Sequence, residues 1–120
     1  MRVRGIRGAT QLEQDSASQM VDEVSELLTQ MLSSNGVKTE DLISIILTST
    51  PDLVSEFPAV AARKIGLGSV PLLCSVEIDV KGSLPRVVRV LMHAHLDKEL
   101  ADIKHIYLKG AIALRKDLAQ

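Results

Sequence analysis

A mixed β-sheet with helices packed on one face, an α/β (α+β) arrangement, is the fold class this sequence predicts, and three observations predict it. Runs rich in β-branched residues alternate with one long amphipathic helix and one short helix. The 120 residues suffice for one core, so the chain reads as one domain over 1–120. No repeat, low-complexity tract or linker interrupts it.

Residues 2–10 read as the first strand, with Val3, Gly5, Arg7 and Ala9 sharing one face at period two. Met20, Val21, Val24, Leu27, Leu28, Met31 and Leu32 then form one apolar stripe at helical spacing. Asp15 or Ser16 can cap the start of this helix by accepting an orphan N–H, and Asn35-Gly36 can end it. Residues 42–50 are β-branched-rich, stop at Pro51-Asp52 and read as a largely buried strand. Phe57-Pro58 opens a short helix that Gly66 stops, with Val60, Ala61 and Ile65 inward and Arg63 and Lys64 outward. A strand zone at 70–80 leads through Gly82-Ser83-Leu84-Pro85 to another at 86–95. A last strand at about 103–108 precedes a short helical turn and a polar tail. Two helices cover one sheet face only, so the other meets solvent or an oligomer partner; its apolar content favours the oligomer.

Composition narrows the functional classes. Fourteen Lys and Arg against fifteen Asp and Glu leave a formal charge of −1. That balance argues against binding nucleic acid or anionic membrane, where affinity comes from neutralising phosphates. A lone cysteine, Cys74, excludes an internal disulfide and multi-cysteine metal scaffolds. The amino terminus carries charge without a following apolar run, and no stretch approaches the roughly 20 residues needed to span a bilayer. A soluble, reduced, cytoplasmic protein is expected. The aromatics number only two, Phe57 and Tyr107, so the core must be aliphatic.

Arg89 stands inside an apolar strand, Val87-Val88-Arg89-Val90-Leu91-Met92. A guanidinium there cannot shed its proton, so it needs an anion: either a structural partner such as Glu77 or Asp79, or a ligand in a pocket. Arg7 lies between Gly5 and Gly8, which would let a backbone or ligand approach; the alternative is an edge-strand charge in water. Two arginines on separate strands suit a dianion. Glu77 points to the face opposite Val76, Ile78 and Val80, either to solvent or into a pocket as a hydrogen-bond acceptor. Cys74 has the opposite parity to Glu77, so both reach one site only across a bulge or bend; a buried inert thiol is its other reading. His93, His95 and His105 lack a third ligand at metal-site spacing, and no metal is expected. Phosphate loops and nucleophile elbows are also missing, so the sequence offers cations for binding and little for covalent chemistry.

The segments Arg4-Gly5-Ile6-Arg7-Gly8-Ala9-Thr10, Thr50-Pro51-Asp52-Leu53, Phe57-Pro58-Ala59, Val70-Pro71-Leu72, Arg89-Val90 and His105-Ile106-Tyr107-Leu108 occur together in order. In this the chain resembles the monofunctional chorismate mutases of the AroH class, from residue 2 to about 118. The resemblance implies a homotrimer around a barrel-like sheet core, with active sites at subunit interfaces. It implies rearrangement of chorismate to prephenate in aromatic amino-acid biosynthesis, without cofactor, metal or covalent intermediate.

The resemblance also implies roles. Arg89 would bind the breaking ether oxygen and a substrate carboxylate, while Arg7 and Tyr107 would grip the side-chain carboxylate. Glu77 would accept the ring hydroxyl, with Cys74 beside it. Phe57, Ala59 and Arg63 would come from the adjacent subunit, Leu72 and Leu73 would line the pocket, and Leu114 and Arg115 would fold over it. The chain departs from the family pattern at Val60, where many members carry lysine, and at Leu73, where some carry threonine. Lys64, one turn beyond Val60, is the candidate replacement for the missing cation at the rim.

Overall fold

A computed structural model of the chain describes residues 2–115; Met1 and residues 116–120, with the ends of the expected domain and most of the polar tail, lie outside it. The strands are β1 (Val3–Gln11), β2 (Leu42–Ser49), β3 (Leu72–Val76), β4 (Val87–His95) and β5 (Ile106–Tyr107), in the sheet order β3-β2-β4-β1-β5. Helix α1 (Ala17–Asn35) follows β1, and α2 (Ala59–Lys64) lies between β2 and β3. β4 is the hub, antiparallel to both β1 and β2, while β3 and β5 pair in parallel at the two edges.

The helix limits follow from local chemistry. Ser16 is extended at the N-cap and accepts the Gln19 N–H; Gly36 closes the other end in the left-handed conformation at φ 64°. Asp15, the other candidate cap, instead accepts the N–H groups of Val54 and Ser55. Met20, Val24, Leu27, Leu28 and Met31 are buried on α1 against Ile6, Ile45, Leu47, Val88, Val90 and Met92 of the sheet. Gly8 belongs to this contact. A Cβ there would collide with Sδ of Met31 and press on Leu27, so the glycine lets helix and strand close together. Gly5 has no such constraint, its nearest neighbour being at ordinary contact distance.

Two strands are shorter than the sequence predicts. The 70–80 zone is a strand only over Leu72–Val76, because its single partner β2 ends at Ser49. The Glu77 N–H makes one more bond, to the Ser49 carbonyl at 2.9 Å, before β2 turns away at Thr50-Pro51. The 103–108 zone contains only Ile106–Tyr107 as strand, paired with Gly8 and Ala9. Its approach is held instead by buried Asn35, whose amide takes the Lys104 N–H at 2.8 Å and donates to the Lys104 carbonyl at 2.9 Å. The helical turn that follows is a 3₁₀ segment, Lys109–Leu114, anchored by a Lys109–Glu23 ion pair of 3.2 Å.

β2 is two-faced rather than largely buried. Ile45 and Leu47 face the helices, and Ile46 and Thr48 face the other way with partial exposure. The same alternation runs through β4, where Val88, Val90, Met92 and Ala94 are buried and Arg89, Leu91 and His95 are exposed. On this second face Ala9, Tyr107 and Ala111 form a small cluster with Leu114, while Leu73 and Leu91 remain exposed.

Candidate active site

Strand register decides which side chains meet on the second face. Ala9 pairs with both Tyr107 and Arg89, and Arg89 pairs with Thr48, so these residues form one row across four strands. The next row carries Arg7, Leu91, Ile46 and Leu73. Directly paired residues point to the same side of a sheet, so Arg7, Tyr107, Arg89 and Thr48 share a face. Between them lies an open hollow of about 320 Å³, whose lining includes Arg7, Thr48, Glu77, Arg89, Tyr107 and Arg115. That volume sits at the small end of the range for small-molecule sites.

Glu77 enters the hollow from just beyond β3, carried there by its backbone bond to Ser49. Thr48 Oγ1 donates to Glu77 Oε2 at 2.6 Å, and Arg89 Nε stands 3.7 Å from the same oxygen. Of the two readings of Arg89, the structural partner is present in Glu77, while the guanidinium side chain stays 44% exposed and lines the hollow. Glu77 is 25% exposed. Three guanidiniums against one carboxylate give the hollow a positive balance suited to a small dianion.

Arg7 is held through its main chain, whose N–H donates to Nδ1 of His105 at 2.9 Å. The imidazole of His105 has its pKa lowered from the ordinary 6.5, first by burial and then by the charges of Arg7 and Arg115. Thr48, which lines the hollow, and His105, which bonds the Arg7 backbone, are polar neighbours that sequence reasoning did not place there. For Thr48 the signal was available, since period-two alternation in 42–50 sets it opposite Leu47. For His105 it was not, because a side chain accepting a neighbouring strand's N–H leaves no spacing pattern.

Of the remaining expected residues, Arg115 lines this hollow and the others lie outside its lining. Cys74 pairs with Leu47 and packs against the helix-covered core, as its parity required, and no bulge brings it round to Glu77. It lines a second hollow of about 330 Å³ together with Phe57, Val54, Ser55 and Val76. Phe57 is 67% exposed at that rim, an unusual setting for one of only two aromatics. Ala59 is buried at the start of α2, and Arg63 is exposed near its end. Leu72 packs against the core, whereas Leu73 projects from the second face and is 62% exposed. Leu114 and Arg115 reach the hollows around Glu77 and Arg89. Lys64 is tied to Asp22 of α1 at 3.7 Å. Thr50-Pro51-Asp52 has a structural role: Thr50 Oγ1 accepts the Val87 N–H at 3.0 Å and donates to Asp52, which accepts the Arg86 N–H. His93 is within hydrogen-bond reach of Ser44 Oγ, at 3.2 Å.

A family model described as chorismate mutase type I matches residues 3–118. The chain is 48% identical over 117 residues to the chorismate mutase AroH of Thermus thermophilus, covering 97% of this chain and 96% of the relative. It is 39% identical over 120 residues to the chorismate mutase AroH of Bacillus subtilis, covering 99% and 94%. Among solved structures, a chorismate mutase from Clostridium thermocellum superposes with a TM-score of 0.90 at 48% identity, covering 92% of this chain and 98% of that one.

Proposed function

The chain belongs to the chorismate mutase type I family and is an enzyme converting chorismate to prephenate; from that premise we propose how its residues share the work. The observation that carries the assignment of roles is the convergence of Arg7, Arg89, Glu77 and Tyr107 on one hollow. The reaction breaks a C–O bond and makes a C–C bond within one molecule, with no net proton, electron or group transfer. Negative charge grows on the ether oxygen as the bond lengthens. Arg89, already oriented by Glu77 and still open to the hollow, stabilises that charge more than the ground state. Arg89 also takes one substrate carboxylate, and Arg7 and Tyr107 take the other. Glu77, held by Thr48, accepts the ring hydroxyl. Fixing both ends of the substrate selects its compact reactive conformer. Covalent catalysis, metal and cofactor have no part in this scheme.

The site is completed by a second copy of the chain. Phe57 and Cys74 line one hollow, and the arginines another. Leu73, Val76 and Ile78 are exposed apolar residues at the same edge. A homotrimer with a barrel-like sheet core would bury these residues. It would seat Phe57, Ala59, Arg63 and Cys74 of one subunit against the arginines of the next. Leu72 and Leu73 would then shape the shared wall, and Leu114 and Arg115 would close the mouth. We place the enzyme in the cytoplasm, in aromatic amino-acid biosynthesis; no helix among the described residues is long and apolar enough to cross a membrane. Purified protein mixed with chorismate should remove its ultraviolet absorbance and yield prephenate. Saturable binding without prephenate would overturn the catalytic reading.

A further inference from the structure

His105 is the one histidine in direct contact with the proposed site, and the reaction as described gives it no chemical step. β5 is two residues long, and its pairing with β1 begins only at Gly8 and Ile106. The N–H of Arg7 lies one residue before that ladder, and the His105 ring supplies its acceptor, Nδ1, at 2.9 Å. The ring thus extends the grip of β5 on β1 by one position, to the residue whose side chain enters the hollow. We propose that His105 is a positioning residue that, as a neutral imidazole with an unprotonated Nδ1, fixes the Arg7 backbone and so aims its guanidinium at the substrate. The proposal rests on the reading of Arg7 as a carboxylate ligand.

The surroundings suit this role. Arg7 of β1 shares the ring's hollow, and the charge of Arg115, in the segment after the 3₁₀ turn, also acts on the ring. Leu91 of β4, Leu100 and Ile103 share its hollow and bring no charge. Two nearby cations and a half-buried position all favour the neutral ring, so the acceptor survives across neutral pH. Protonation at Nδ1 would replace the acceptor by a donor facing a donor, and release Arg7.

The test is a double-mutant cycle read as kcat/KM on chorismate. His105→Leu should lower kcat/KM by about 10-fold, the scale of leaving one part-buried N–H without a partner. His105→Asn, whose amide oxygen can occupy the place of Nδ1, should recover most of that loss. In an Arg7→Ala background His105→Leu should cost little more, because the group it positions is gone. An equal loss in both backgrounds, or no recovery by asparagine, would overturn the proposal. If His105→Leu fails to fold, the ring ¹⁵N shifts of the wild-type enzyme decide: Nδ1 unprotonated at neutral pH supports the proposal, and Nδ1–H refutes it. Wild-type protein inert towards chorismate would instead refute the underlying reading, so the two failures are distinct.

Discussion

Replacing Thr48 by valine removes one hydroxyl from the row that carries Arg89 and tests whether that hydroxyl holds Glu77 in place. The bond is 2.6 Å from Thr48 Oγ1 to Glu77 Oε2, within the short range of O–H···O⁻ contacts. Hydrogen bonds to charged groups contribute roughly 1.5–3 kcal/mol. Glu77 is one-quarter exposed, so water competes for the same oxygen and the lower end applies. About 1.5 kcal/mol corresponds to about a 10-fold loss in kcat/KM. Valine keeps the β-branched shape on a half-buried strand position, so the thermal midpoint should move little. Thr48→Ser keeps the donor and should stay close to wild type. The assay is initial-rate loss of chorismate absorbance beside a melting curve. Unchanged kcat/KM in Thr48→Val refutes the claim that Thr48 orients Glu77. A loss shared equally by the serine variant would trace instead to packing.

Three other outcomes are expected. Mixing Arg89→Ala chains with Arg63→Ala chains, after unfolding and reassembly, should restore wild-type-like sites where the intact halves meet; absence of any recovered activity contradicts a site shared between subunits. Because the His105 pKa is lowered in the folded protein, the unfolded chain binds more protons between that value and 6.5. Stability from the neutral ring is therefore complete above about 6.5 and lost as pH falls through the folded pKa. The melting temperature should decline on that acid side and less so in His105→Asn, and parallel curves would remove His105 from the linkage. Gly8→Ala places a methyl group against Met31 and Leu27 and should destabilise the fold by ~1–3 kcal/mol, measured by denaturant unfolding. Met31→Ala added to it should relieve part of that cost, and a fully additive pair would speak against the collision.

Local signals carried the long helix and the central strands. Ser16 and Gly36 are caps whose chemistry acts within a few residues, so both ends of α1 were readable to within one residue. Arg89 was conspicuous because a permanent charge in an apolar strand demands an explanation, and Glu77 supplies part of one. The edges were less legible. A β-rich run shows that residues can form a strand but not where a partner ends, which is why 70–80 and 103–108 were read too long. Gly8 suggested room for a ligand when its space is taken by Met31 of α1, a contact between elements that spacing alone cannot reveal. Parity set Cys74 and Glu77 on opposite faces, and they do line separate hollows. But β3 ends at Val76, and Glu77 shares a hollow with Ile78 and Val80, which parity had set opposite it. Asn35 read as a helix stop and is also the tether for Lys104, a bond spanning sixty-nine positions.

The most direct test of the central claim, that Arg89 stabilises charge developing on the ether oxygen, is turnover by Arg89→Ala with oligomeric state measured alongside. The account predicts an intact assembly and a kcat lower by at least ~10²-fold, the scale of losing a principal transition-state donor. Arg89→Lys should also fail badly, because a compact ammonium cannot reproduce the planar fork. Near-normal kcat in Arg89→Ala, in a correctly assembled protein, would contradict the account.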